Sequence, residues 1–89
     1  MNIYRLDPID PKHPSWKNST EKDSIWASAA TPEEARDLVA DKTRLGAPTA
    51  IGLKSPWQDE AVTSCVWEPS MSHIQAGTVV RTDGSVVGD

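Results

Sequence analysis

The chain has 89 residues, 37% of them apolar, a formal net charge of −4 and a single cysteine. That length accommodates one domain, residues 1–89, with one core. The acidic balance argues against a duplex-DNA surface, which would carry a basic face, and a lone cysteine excludes an internal disulfide.

Ile3 to Leu6 reads as a short first strand, ended by the prolines at 8, 11 and 14, which cannot donate ladder hydrogen bonds. W-K-N-S-T-E-K-D reads as a polar loop. Ser24 to Ala30 alternates as a strand does, with Ile25, Ala27 and Ala29 on one face and Ser24, Trp26 and Ser28 on the other. T-P-E-E-A-R-D-L-V-A-D-K-T-R-L-G is a helix with its ends marked. Thr31 is the N-cap, Pro32 the first helical residue, Glu34 the partner in a capping box, and Gly46 the stop. Ala35, Leu38, Val39 and Leu45 form its apolar stripe, while Arg36, Asp37, Ala40 and Asp41 face elsewhere.

A proline- and glycine-punctuated connection leads to Glu60–Glu68, which reads as a strand. Ala61, Thr63, Cys65 and Trp67 share one of its faces, and Val62, Ser64 and Val66 the other. In V-V-R-T-D-G-S-V-V-G, Asp83-Gly84 predicts a hairpin closed by a two-residue type I′ turn. The expected fold is α+β, in the order β-β-α-β-β-β: a small antiparallel sheet with one helix on one face. Pairing order is left open, as is whether the last hairpin extends the sheet, folds back or swaps between copies.

Few residues suggest chemistry. Gly46 to Ser55 has glycines and a lysine, but the spacing of a phosphate loop is wrong and Pro56 stands where its helix should start. Cys65 could serve a small thiol enzyme if His13 or His73 approached it. Its neighbours Ser64, Val66, Trp67 and Glu68 offer no cation, so a small core residue is the plainer reading. Asp7, Asp10 and His13 lie along a proline-rich segment and Asp59-Glu60 is an adjacent acid pair, yet neither has the spacing of a metal or hydrolytic site. No cofactor and no metal are expected. Lys12, Trp16 and Lys17 could form a weak platform for single-stranded nucleic acid, although Glu21 and Asp23 offset their charge.

The tryptophans pose the main question, because Phe is absent and Trp16, Trp26, Trp57 and Trp67 hold most of the aromatic surface. Each buried Trp removes on the order of 200 Å² from water. A single helix covers a single sheet face, and Trp26 is expected on the uncovered one. Three solutions are open: the loops fold over that face with Trp16 and Trp57 as lids, a second copy covers it, or a different partner does.

At W-K-N-S-T, S-I-W-A-S-A-A-T-P-E-E-A-R-D-L-V-A, S-P-W and T-S-C the chain resembles small uncharacterised bacterial α+β proteins in which a strand feeds a capped helix. The resemblance implies that architecture and brings no catalytic residues with it. The leading expectation is therefore a non-enzymatic protein-interaction module that forms a homodimer. Trp26 and Trp67 are its main interface candidates, with Trp16 and Trp57 as supporting contacts. The N-terminal M-N-I-Y-R-L-D-P lacks the apolar run of a signal peptide and no stretch approaches membrane-spanning length, so a cytoplasmic location away from membranes is expected.

Overall fold

The computed structural model describes residues 2–44, 55–69 and 74–87. Its two central strands, β1 (Asn2–Pro8) and β2 (Ile25–Ala29), pair antiparallel with Leu6 opposite Ile25 and Tyr4 opposite Ala27. β3 (Thr63–Trp67) adds to the free side of β1, and β4 (Val79–Arg81) to that of β2. The sheet order is β3-β1-β2-β4, antiparallel throughout, with one helix, α1 (Pro32–Lys42), packed across it. The fold is the α+β arrangement that the sequence pattern predicts.

Side chains alternate along each strand. Tyr4, Leu6, Ile25, Ala27, Thr63, Cys65, Trp67 and Val79 therefore share the face under α1. Ile3, Arg5, Trp26, Ser28, Ser64, Val66 and Val80 share the other. The small Ala27 and Ala29 let the helix approach, and Ala35 and Val39 are fully buried against that surface.

The start of α1 matches its signature. Thr31 Oγ accepts the Glu34 amide at 3.1 Å, while the Glu34 carboxylate reaches back to the Ala30 amide at 3.2 Å. The end comes earlier than Gly46. Thr43 caps it, its amide and hydroxyl both donating to the Val39 carbonyl. Leu45 and Gly46 lie outside the described residues. Ala40, read as facing away, is in the core, because the helix also packs against the turn at Pro56–Gln58. Val62 likewise joins the core from a turn that precedes β3.

The last hairpin differs in its turn. Gly84 has a φ of 88° but Asp83 does not cross to positive φ, so a type I′ turn is not formed. The Gly84 amide donates to the Arg81 carbonyl and the Arg81 amide to Ser85, which makes a three-residue loop with glycine in the left-handed position. Asp83 is held by the Ser85 amide and hydroxyl, at 2.9 and 2.6 Å. The returning arm bridges Val86 to Val80 and brings Val87 into the core.

Candidate functional site

Trp16 and Trp57 settle where the loops go. Each sits in a single 3-10 turn, Pro14–Asn18 and Pro56–Gln58, whose first amides are capped by His13 and Ser55. The rings meet edge to face with centroids 5.1 Å apart, and Trp57 is completely buried. Both indole N–H groups are satisfied, Trp16 by the Asp10 carbonyl at 2.7 Å and Trp57 by the Ser19 hydroxyl at 2.9 Å. The pair belongs to the core cluster that includes Leu6, Ile25 and Val39, on the helix side of the sheet. As lids over the Trp26 face they are therefore on the wrong side. The loops close the flank of α1 instead, because Pro14 and Pro56 start turns that drive each ring inward.

Two polar residues hold this flank, and sequence reasoning did not single them out. Ser19, 2% exposed, also accepts the Glu21 amide, and its hydroxyl donates to the Glu21 carbonyl. Arg36, expected on the outer face of α1, reaches across to the Trp57 carbonyl and to the hydroxyl and carbonyl of Thr63, at 3.1, 2.9 and 2.9 Å. The sequence carries no signal for this placement, because Ala40, its i+4 neighbour, is read as facing away as well and is shown buried only by the fold.

The other sheet face carries the candidate surface. Strand register sets Val66, Arg5, Trp26 and Val80 in one row across the sheet, extended by Val86 through its bridge. Trp26 is half-buried in the middle of that row. Its indole nitrogen and the Ser28 hydroxyl are buried without a hydrogen-bond partner among the described residues. Arg5 spans the face between Asp7 at 2.9 Å and Glu68 at 3.4 Å. No described helix lies on this side.

Among the described residues, the edge strand β3 carries the most exposed adjacent apolar pair. Val66 is 48% exposed and Trp67 61%. Trp67 points to the helix side, but α1 begins at Pro32, whose carbonyl lies 3.9 Å from the Cys65 sulfur, so the helix stops one pleat short of it. Trp26 and Trp67 thus stand on opposite faces and do not form one patch. Among the described residues nothing pairs with the outer side of β3.

Burial pushes the Cys65 thiol up, Arg36 pulls it partly back, and Glu33 adds to the rise, so the thiol is held neutral and poorly nucleophilic. His13 is engaged with Ser15, and His73 lies outside the described residues, as does most of Gly46–Ser55. Lys12 and Lys17 are exposed, but the ring of Trp16 between them is not. Among the described residues no three His, Cys, Asp or Glu side chains are grouped to hold a metal, and no helix is long and apolar enough to cross a membrane. Comparison with protein-family models, curated proteins and solved structures finds no match to this chain.

Proposed function

We propose that this domain is a non-enzymatic protein-interaction module that self-associates, with its contact built on β3 and the sheet surface beside it. The observation that supports this reading is the adjacent exposed pair Val66 and Trp67 on an edge strand whose outer side pairs with nothing among the described residues. A free edge with apolar side chains on both faces is a template for another strand. A small domain, with a limited core of its own, gains disproportionately from a second surface.

Trp67 is the principal contact, and Trp26 contributes from the sheet face away from α1, two strands in from the edge, where it is half-buried beside the buried Ile3, Ser28 and Val80. Trp16 and Trp57, expected as supporting contacts, are buried in the core and offer no surface to a partner. Single-strand nucleic-acid binding through Lys12, Trp16 and Lys17 has less support, because stacking needs a ring face that Trp16 does not present. A thiol enzyme at Cys65 has less support, because burial and Glu33 raise the thiol against the pull of Arg36. A reducing, cytoplasmic setting suits a chain with a single unpaired thiol.

Light scattering over a roughly hundredfold range of concentration tests the reading, since assembly responds to mass action. The expected outcome is a molar mass that rises to twice the 9.7 kDa of one chain. A mass that stays at one chain throughout would overturn self-association.

A further inference from the structure

We propose that two copies join edge to edge through β3, antiparallel about a twofold axis at Val66, so that Cys65 of each pairs with Trp67 of the other. The inference rests on the self-association proposed above and names its geometry.

The ladder with β1 fixes which backbone groups of β3 turn outward. The Glu68 amide donates to the Ile3 carbonyl at 2.8 Å. In an antiparallel ladder, bonded and non-bonded pairs alternate. Arg5–Val66 and Asp7–Ser64 are therefore the next bonded pairs, and Thr63, Cys65 and Trp67 turn their N–H and C=O groups outward. Thr63 has no need of a partner strand. Its amide donates to Asp59 at 3.0 Å and its carbonyl accepts from Arg36 at 2.9 Å. At the other end Pro69 has no N–H to offer. The open stretch of the edge is thus Cys65 and Trp67, closed on one side by Arg36 and on the other by a proline.

A strand that fits this gap presents two outward-facing residues separated by one, in the antiparallel sense, and stops at both ends. A second copy of β3 does so. With Val66 on the axis, each Cys65–Trp67 pair exchanges both of its N–H···O bonds and every outward group of the gap is satisfied. Shifting the axis to Cys65 sets Trp67 against Thr63, whose groups are already engaged. Shifting it to Trp67 sets Cys65 against Pro69, which cannot donate.

The side chains agree with the same register. On the face away from α1 the two exposed Val66 side chains meet at a non-bonded pair, the closer kind, with Cα atoms about 4.5 Å apart. On the helix side each exposed Trp67 lies beside the other copy's half-buried Cys65, over the surface that α1 leaves bare. The charged side chain within the seam is Glu68, which is paired with Arg5 and falls opposite Ser64 rather than opposite another carboxylate. The two sheets become one continuous sheet.

Cysteine cross-linking reads the register directly. In a Cys65→Ser background, Val66→Cys puts two thiols on the axis within disulfide range, whereas Val86→Cys puts them at the far side of the sheet. Under mild oxidation the Val66→Cys protein is expected to form a covalent dimer several-fold faster than the Val86→Cys protein. Wild-type Cys65 is expected to stay unlinked, because the two copies of it sit on a diagonal about 7–8 Å apart. Trp67→Lys, a substitution at an exposed site, is expected to raise the dissociation constant about tenfold or more with unchanged circular dichroism. A dimer by light scattering that cross-links no faster at Val66 than at Val86 would overturn edge pairing and leave self-association standing. A monomer at every concentration would overturn both.

Discussion

Thr63 and Ser28 are both buried hydroxyl residues of the sheet, in opposite circumstances. Thr63 Oγ donates to the Pro56 carbonyl at 2.9 Å and accepts from Arg36 at 2.9 Å, whereas Ser28 Oγ has no partner among the described residues. Thr63→Val keeps the shape but strands a carbonyl and a guanidinium N–H, and is expected to cost about 1–3 kcal/mol. Ser28→Ala removes a hydroxyl that makes no bond and is expected to fall within about 0.5 kcal/mol of the parent, or to stabilise. Urea unfolding of both variants checks the contrast, and equal losses would contradict it. Cys65 gives a pH prediction. Its thiol is raised by burial, so as pH climbs the unfolded chain ionises first and the folded state loses stability between the ordinary thiol value and the raised one. Alkylation of Cys65 in the folded protein is expected to be slow at neutral pH and to speed up once urea unfolds the chain. A rate that urea leaves unchanged would show that the fold does not protect the thiol.

Among the elements, α1 and the last hairpin depend on single residues at their ends. Thr31→Ala removes the side-chain acceptor for the Glu34 amide and is expected to cost about 0.5–2 kcal/mol. Gly84→Ala meets no steric obstacle, since nothing lies within 4 Å of the added carbon, but it must hold alanine at a φ of 88°. That strain is expected to destabilise the hairpin by about 1 kcal/mol. Thermal melts of the two variants test both statements. The Thr31 prediction was open to the sequence because capping is a local interaction among neighbouring residues. The hairpin was legible as a hairpin, yet its turn type was not, since Asp83 keeps a negative φ while its carboxylate engages Ser85.

At the scale of the molecule, the four tryptophans divide by position rather than by type. Trp16 and Trp57 complete the core, Trp26 lies half-buried on the face away from α1, and Trp67 projects from the edge. Trp57→Ala is expected to cost about 3–5 kcal/mol, enough to unfold so small a domain. Trp67→Ala should leave the monomer's stability within about 0.5 kcal/mol while weakening association. If the dimer forms, the melting temperature must rise with protein concentration, and that rise should vanish in the Trp67→Ala variant. Calorimetry at two concentrations distinguishes the cases.

Alternation and the capping box were enough to read the start of α1, the two faces of β2 and the α+β class from the sequence alone, because each rests on contacts between residues near one another in the chain. The end of α1 at Thr43 was not read. The placement of Trp26 opposite the helix followed from the same alternation. Burial of Trp16 and Trp57 could not be read this way. It depends on two loops, 38 residues apart at the Ser19–Trp57 hydrogen bond, meeting on one flank of α1. The exposure of Trp67 depends on where the helix begins relative to β3, and the free edge depends on the strand order. Those are long-range facts of packing, and only the tertiary structure decides them.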